Sequence, residues 1–238
     1  MEFTKEPVSR FLINSLICSQ RNAKIFIKNN EVLVNEKRVI ESSTLIDSEN
    51  DVVTVNEKII PAVKHTYLML NKPKGVVCST VSDSHTTVYD LLKGKLADQI
   101  IVKLKCAGRL DCDTTGLLLM STNGSFINAL TDPDKKIQKT YIVKLRDKVN
   151  LDQQKIYSKN AALGLKIPSE KKSPEFISKP AHLNWISEDC VEITVTEGKF
   201  HEVRRIFSAL ENFVVELKRV RMGDFSLEEL SEGEIKVL

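Results

Sequence analysis

The sequence predicts an α+β fold in two parts, a small N-terminal α/β module followed by a larger domain. Two observations indicate this. The first sixty residues combine a helical pattern with short β-branched runs. From Thr66 onward, strand and helix patterns are mixed, and no repeat is visible. A chain of 238 residues with 42% hydrophobic content can bury a sizeable core and still include a small additional module.

The N-terminal module is expected to span residues 1–60. Apolar residues between positions 8 and 30 recur at helical spacing, so we predict that residues 8–30 are helical. Residues 31–35 and 51–55 are short β-branched runs between turn-forming residues, which predicts strands. Residues 61–65 are predicted to be a linker.

The larger domain is expected to span residues 66–238. Strands are predicted at four apolar runs, which are residues 67–70, 116–120, 140–143 and 190–195. One helix is clearly marked by apolar residues at i, i+3, i+4 and i+7, which are Val203, Ile206, Phe207 and Leu210. Arg205 is expected to point away from this buried stripe, with Arg204 on its flank.

One segment of the larger domain has no clean period. Residues 165–180 contain three prolines and several serines among lysines. Proline and serine clusters interrupt regular structure, so a long mobile loop is predicted here.

Composition excludes several classes of protein. The 35 basic and 32 acidic residues leave a net charge of +3, so bulk charge alone does not indicate a nucleic-acid-binding protein. Five cysteines without a CxxC pair are typical of a reduced, intracellular chain. The sequence has no export signal and no apolar run that could cross a membrane. We therefore expect a soluble, cytoplasmic protein.

The strongest local signal is the polar run 108–115, which leads directly into an apolar strand. Catalytic groups are often placed on such loops between rigid elements. A simpler interpretation is a turn in which Asp111 and Asp113 accept hydrogen bonds from the backbone. A calcium loop is excluded, because Thr115 and Thr122 stand where oxygen ligands from amide or carboxylate side chains are needed.

The run 201–205, His-Glu-Val-Arg-Arg, begins like the helix of a zinc protease. Zinc is excluded because Arg205 occupies the position of the second histidine ligand. The simpler interpretation of this run is a helix with a solvated basic face.

Basic residues form three clusters, although the overall charges nearly cancel. Each cluster could be a solvated face, but together they suggest a path that follows phosphate groups. The clusters are Arg21, Lys24 and Lys28; Lys135, Lys136 and Lys139; and Arg204, Arg205, Lys218, Arg219 and Arg221.

Taken in chain order, these motifs resemble the pseudouridine synthases of the ribosomal small-subunit class and their large-subunit relatives. The resemblance covers the runs 69–75, 108–119, 139–141, 197–205 and 215–219. It implies a catalytic domain with a mixed, mainly antiparallel sheet, and an enzyme that needs no cofactor and no metal.

The resemblance also indicates a substrate. The runs 71–80 and 178–181 are more similar to the enzymes that act on 16S ribosomal RNA than to those that act on 23S RNA. They imply isomerisation of one uridine, at position 516 in the family's usual rRNA numbering. Two alternatives stay open: a 23S-specific enzyme of the same family, whose loops select another uridine, and a non-catalytic RNA-binding protein of ribosome assembly.

Three residues carry the chemistry that the resemblance implies. Asp111 is the essential carboxylate, which either attacks covalently or takes a sugar proton after the base leaves its stack. Arg204 is expected to hold Asp111 ionised, because a nearby cation favours the charged carboxylate. Tyr141 is expected to stack beneath the uracil.

Further residues are candidates for RNA contacts. Arg109 is expected to brace the loop or to touch the backbone near the flipped nucleotide. Contacts to phosphates, which position RNA without reading its sequence, are expected from Lys72, Lys74, Arg205 and Arg219.

The N-terminal module resembles a helical RNA-binding module first seen in a small-subunit ribosomal protein. Pro7 and Ser9 replace the usual arginine and aspartate, which removes a phosphate contact, and Asn30 replaces the usual turn glycine. The basic residues of this module, Arg21, Lys24 and Lys28, are candidate RNA contacts. The expected partner is 16S RNA or a small-subunit assembly intermediate, bound by a monomer without any membrane.

Overall fold

The computed structural model describes residues 5–61, 64–170 and 173–238. The chain divides into two compact units, Met1–His65 and Thr66–Leu238. Residues 62–63 of the predicted linker, residues 1–4 of the predicted module and residues 171–172 of the predicted loop lie outside the described residues. In the part of the chain that is described, no helix is long and apolar enough to cross a bilayer.

The first unit packs two helices and short strands around an apolar core that includes Phe11, Ile27 and Val53. The elements are β1 (Lys5–Pro7), α1 (Val8–Asn14), α2 (Ala23–Asn29), β2 (Val32–Val34), β3 (Lys37–Arg38), β4 (Leu45–Asp47), β5 (Val53–Val55) and β6 (Lys58–Ile60). Strands β3, β2, β5 and β6 form an antiparallel sheet in that order, and β1 pairs with β4.

The helix predicted for residues 8–30 is two helices. The first ends at Asn14, and Leu16 then adopts a φ of 60° with its side chain exposed to solvent. A left-handed residue of this kind ends a helix. The apolar positions therefore belong to two short helices, α1 and α2, which the sequence period did not separate.

The second unit is built on one large mixed sheet. Its elements are β7 (Tyr67–Lys72), α3 (Asp98–Ile101), β8 (Lys105–Cys106), β9 (Thr114–Ser121), α4 (Gly124–Thr131), β10 (Lys139–Leu145), α5 (Leu151–Leu163), β11 (Lys166–Ile167), β12 (Phe176–Ile177), β13 (His182–Trp185), β14 (Cys190–Val195), α6 (Glu202–Ala209), β15 (Val214–Met222), β16 (Phe225–Ser226) and β17 (Ile235–Val237). Short 3-10 turns cover Asp90–Leu92 and Pro133–Lys135.

The order of the sheet is β13-β14-β10-β15-β9-β7-β17, with β16 beside β15 and β8 beside β9. Among the described strands of this sheet, the pair β9 and β15 is parallel and the other pairs are antiparallel. The predicted α+β class with a mixed, mainly antiparallel sheet is confirmed. Both faces of β9 are covered, because the consecutive residues 117–120 are all fully buried.

A close backbone approach joins the centre of this sheet. Arg219 on β15 pairs with Gly116 on β9 and with Tyr141 on β10, so the three residues form one row. Gly116 has a φ of 100°, and a Cβ atom built on it would lie 2.2 Å from the carbonyl oxygen of Arg219. Only glycine fits this position. The row fixes Tyr141 near the loop that carries Asp111, which directly precedes β9.

Helix α6 buries the predicted stripe, since Val203, Ile206, Phe207 and Leu210 are at most 6% exposed. The prediction that Arg205 points into solvent is wrong, because this residue is 4% exposed. The guanidinium of Arg205 donates hydrogen bonds to the carbonyl oxygens of Pro168 (2.7 Å) and Pro174 (2.9 Å) and to Oγ of Ser173 (2.8 Å).

Arg205 also explains why residues 165–180 differ from the predicted loop. Strands β11 and β12 pair as an antiparallel hairpin, and Glu170 forms a bridge with Ser173. Proline lacks a backbone donor but keeps a carbonyl acceptor, so the proline-rich sequence still offers Arg205 its partners. The described residues of this segment therefore form a hairpin tied to α6, which we call the 165–180 hairpin.

Replacement of Gly116 by alanine should disrupt the junction of β9 and β15. We expect the Gly116→Ala variant to lose at least about 3 kcal/mol of the free energy of unfolding, because a backbone atom cannot move aside as a flexible side chain can. Denaturant titration measures the loss. Gly94→Ala is the matched control, since Gly94 also has a positive φ of 74° but no atom within 4 Å of the added carbon. The control should lose about 1 to 2 kcal/mol, and equal losses would contradict the proposed clash.

Candidate active site

A cavity of about 290 Å³, here called the first cavity, lies between residues 108–114 and the start of α6. Its walls include Asp111, Tyr141, Arg204, His201 and Glu202. The three side chains expected to carry the chemistry are therefore found together. Their common cavity results from the sheet, which brings Tyr141 and the loop before β9 to the same place.

Residues 108–113, here called the aspartate loop, are held by their backbone. Gly108 has a φ of 75° at its start, and the amide of Thr114 donates to the carbonyl of Asp111 at its end (3.1 Å). The amide of Gly75 donates to the carbonyl of Cys112 (2.8 Å). These contacts fix the backbone while the Asp111 side chain stays 37% exposed, which leaves its carboxylate accessible from the cavity.

Lys72 lies beneath the aspartate loop and is fully buried. Its Nζ donates to the carbonyl of Val76 (2.6 Å), to that of Pro73 (3.0 Å) and to that of Cys112 (3.4 Å). Burial lowers the pKa of this lysine, while nearby thiol and carboxyl groups, Asp111 among them, act in the opposite direction. The expected contact to a phosphate is therefore wrong for Lys72, because its ammonium group is buried and donates to backbone carbonyls of two loops.

Arg204 pairs with a different carboxylate from the one expected. Its Nη2 lies 2.9 Å from Oδ2 of Asp113, as an ion pair and not as a well-aligned hydrogen bond. Its Nη1 donates to the carbonyl of Val214 (3.3 Å). The direct partnership of Arg204 with Asp111 is thus not present, since the carboxylate two residues further along reaches the guanidinium instead. Arg204 still lines the first cavity.

Asp111 instead lies near His201, which the sequence indicated only as the first residue of a helix similar to that of a zinc protease. Its Nε2 lies 3.8 Å from Oδ1 of Asp111, and its Nδ1 lies 3.1 Å from Oε1 of Glu170. The imidazole stacks on the ring of Phe200, with 3.7 Å between the centroids. The sequence around His201 could not indicate this role, because its partner Glu170 lies in the 165–180 hairpin, which is distant in the sequence.

Glu202 is a second residue that sequence reasoning missed. It lines the first cavity, is 6% exposed, and its Oε2 has no hydrogen-bond partner among the described residues. Burial, and to a lesser degree the neighbouring carboxylate of Glu197, raise the pKa of Glu202 to about 7. At neutral pH this carboxyl group is therefore partly protonated.

A second cavity of about 290 Å³ adjoins the first. The two cavities share Gly108, Arg109, Tyr141, Gly198 and Lys199 in their walls. Tyr141, which is 9% exposed, lines both cavities and thus stands at the boundary between them.

Of the four remaining candidate RNA contacts in the second unit, two lie on the surface and two are buried. Arg109 and Lys74 are exposed, and Arg109 lines both cavities. Arg219 is 1% exposed, and its Nε donates to the carbonyl of Leu117 (2.7 Å), so it reaches only the wall of the second cavity. The guanidinium of Arg205 is buried and donates its hydrogen bonds to the 165–180 hairpin, so the expected phosphate contact is wrong for this residue too.

The three candidates in the first unit are all exposed to solvent. Lys24 and Lys28 lie one turn apart on α2, and Arg21 lies just before that helix. Residues at this spacing share one face of a helix, so α2 presents a basic face. Their contact with RNA stays a prediction.

The raised pKa of Glu202 predicts a pH-dependent stability. The carboxyl group titrates near 4.5 in the unfolded chain and near 7 in the folded one. Between these values the native state binds more protons, so this group lowers the free energy of unfolding as the pH rises from 4.5 to 7. The Glu202→Gln variant lacks this titration. The free energy of unfolding of the variant, relative to that of the wild type, should therefore rise by up to about 3 kcal/mol between pH 4.5 and pH 8.

Denaturant unfolding at several pH values measures this difference. The same substitution at the exposed Glu229 is the control, since it removes a carboxylate that lies in solvent. A pH-independent difference between Glu202→Gln and the wild type would show that Glu202 is not held in an unfavourable environment.

The sequence and the fold of this chain are similar to those of known proteins. Residues 66–209 match the family of RNA pseudouridylate synthases. Ribosomal small subunit pseudouridine synthase A of Haemophilus influenzae and that of Escherichia coli strain K12 are both 35% identical to this chain, over 97% of it and 95% of each relative. A crystal structure of pseudouridylate synthase covers 98% of this chain and 96% of its own, with 34% identity and a TM-score of 0.66. The chain belongs to the RNA pseudouridylate synthase family.

Proposed function

We propose that this enzyme isomerises one uridine of 16S ribosomal RNA to pseudouridine in the first cavity. The observation that carries the proposal is that Asp111, Tyr141 and Arg204 line one cavity in a member of this family. Relatives named for the small ribosomal subunit align over almost the whole chain, which supports 16S RNA over 23S RNA. The target is the uridine that the sequence resemblance indicates.

The reaction breaks the bond between ribose and the ring nitrogen, turns the uracil and rejoins it through carbon. One proton leaves that carbon and one is gained by the freed nitrogen, so no second substrate is needed. The base has to leave its stack to enter the cavity. Asp111 then acts on the sugar, either as a nucleophile or as a base. Both routes require an accessible, ionised carboxylate.

His201 and Glu170 position the Asp111 side chain in this proposal. The 3.8 Å separation of Nε2 and Oδ1 is too long for a hydrogen bond, so the interaction is electrostatic. Glu170 is the closer partner of the imidazole, with 3.1 Å between Oε1 and Nδ1, so it fixes the orientation of the ring that faces Asp111. Arg204 acts indirectly, because its ion pair with Asp113 fixes the end of the aspartate loop.

Tyr141 provides the face on which the uracil rests. Its position on β10 is set by pairing with both β14 and β15, so its ring is held before RNA arrives. Stacking on an aromatic side chain is worth about 1–3 kcal/mol per base. This stabilisation offsets part of the cost of taking the base out of the RNA stack.

Binding of the rest of the RNA is assigned to exposed cations. In the second unit these are Arg109 and Lys74. In the first unit, proposed as an RNA-binding module over residues 1–60, they are Arg21, Lys24 and Lys28. We propose that the enzyme acts as a monomer in the cytoplasm, on 16S RNA or on a small-subunit assembly intermediate.

Replacement of Asp111 by asparagine tests the catalytic assignment and the substrate together. In cells that lack this gene, the wild-type enzyme should restore one pseudouridine in 16S RNA, and Asp111→Asn should restore none, because an amide can neither attack nor take the proton. The control Asp83→Asn, at an exposed position outside both cavities, should behave as the wild type. Pseudouridine mapping is the measurement.

A restored pseudouridine in 23S RNA would favour the 23S-specific alternative. Activity retained by Asp111→Asn would end its catalytic role. RNA binding by the purified wild-type protein without any pseudouridine product would favour an assembly protein.

The pairing of His201 with Glu170 predicts coupled effects on rate. We expect His201→Gln and Glu170→Gln each to lower the single-turnover rate at saturating RNA by about tenfold, which corresponds to roughly 1.4 kcal/mol. Because both act through one chain of contacts, the double variant should lose little more than either single variant. His182→Gln, at an exposed position of strand β13, is the control. Fully additive losses would separate Glu170 from the role of His201.

A further inference from the structure

We propose that the second cavity binds a backbone phosphate of the RNA next to the target uridine, with Lys139 and Arg219 as its cationic ligands. This inference rests on the proposed function and adds a substrate subsite to it.

The wall shared by the two cavities places such a phosphate within reach. Two of the shared residues, Gly108 and Gly198, have no side chain to fill the space between the cavities. In the proposed reaction the uracil and its ribose occupy the first cavity. The RNA backbone continues on both sides of that ribose, so a neighbouring phosphate lies only a few covalent bonds from the shared wall.

Arg219 is a buried cation with an unused donor. Its Nε donates to the carbonyl of Leu117 (2.7 Å), whereas its Nη2 has no hydrogen-bond partner among the described residues. The residue is 1% exposed and lines the second cavity. A buried polar group without a partner is costly, and most such groups in folded proteins are satisfied. A phosphate oxygen in the second cavity would supply the partner of Arg219.

Lys139 is a second half-buried cation in the same wall. Its Nζ donates to the carbonyl of Ile137 (3.2 Å). Burial, and then the charge of the neighbouring Arg219, lower the pKa of Lys139, while Glu202 acts in the opposite direction. Two cations placed together in this way repel each other, and an anion bound beside them would offset that repulsion.

The balance of charge in the second cavity favours an anion over a neutral base. Five cationic side chains line it, which are Arg109, Lys139, Lys179, Lys199 and Arg219. Two carboxylates oppose them. Glu197 lies 3.0 Å from Nζ of Lys199 and 3.8 Å from that of Lys179, and Asp132 caps the short turn that follows it. The carboxylates are therefore engaged away from Lys139 and Arg219, and a phosphodiester complements these two cations.

The test combines a protein variant with a modified RNA. The probe is a 16S RNA fragment that contains the target uridine, either unmodified or with one uncharged methylphosphonate on the 5′ or the 3′ side of that uridine. Lys139→Met should weaken binding of the unmodified RNA by about tenfold or more. The slope of the logarithm of the binding constant against the logarithm of the salt concentration should fall in magnitude by about one, which corresponds to one lost phosphate contact. Lys144→Met, on the same strand but outside both cavities, should bind as the wild type.

The methylphosphonate identifies the phosphate that is bound. At one of the two positions it should weaken binding to the wild type about tenfold, and it should weaken binding to Lys139→Met much less. Lys139→Arg, which keeps the cation, should restore the sensitivity of the wild type. Equal losses in the wild type and Lys139→Met, or no loss in the wild type at either position, would overturn the subsite.

The same experiment distinguishes failure of the subsite from failure of the proposed function. If the wild type isomerises the unmodified RNA but shows no methylphosphonate effect, the subsite is wrong and the function stands. If the wild type isomerises neither the fragment nor a small-subunit particle reconstituted with it, the proposed substrate is wrong.

Discussion

The parallel pairing of β9 with β15, with the backbone of Arg219 against Gly116, is the contact on which the site depends. The aspartate loop ends where β9 begins, so the direction of β9 fixes Asp111. The same residue of β15 pairs with Tyr141 on its other side. One row across three strands therefore sets the spacing between the carboxylate and the aromatic ring. A side chain larger than hydrogen at position 116 would push these strands apart.

Cations inside the protein position the site, while cations on its surface are assigned to RNA. Lys72 holds the aspartate loop from beneath, and Arg205 holds the 165–180 hairpin that carries Glu170. Both direct their charge at backbone carbonyls, which satisfy a buried cation through hydrogen bonds. Lys139 and Arg219 differ, because they adjoin a cavity and are not paired with a carboxylate among the described ion pairs.

The sequence predicted the features that follow from local pattern. The stripe of α6 and the long strands were readable from apolar period, and the order of motifs indicated Asp111, Tyr141 and Arg204 as one group. The sequence could not show which carboxylate Arg204 reaches, since Asp111 and Asp113 are two residues apart in one irregular loop. It also could not show the burial of Lys72 and Arg205, because their partners are backbone carbonyls that carry no residue-specific signal.

The central claim is that the target nucleotide enters the cavity between the aspartate loop and α6. A crystal structure of the Asp111→Asn variant bound to a 16S RNA fragment tests it most directly. The account predicts that the ribose of one extruded uridine faces residue 111 and that its uracil stacks on the ring of Tyr141. A target base that remains in its RNA stack, or that binds away from Tyr141, would contradict the account.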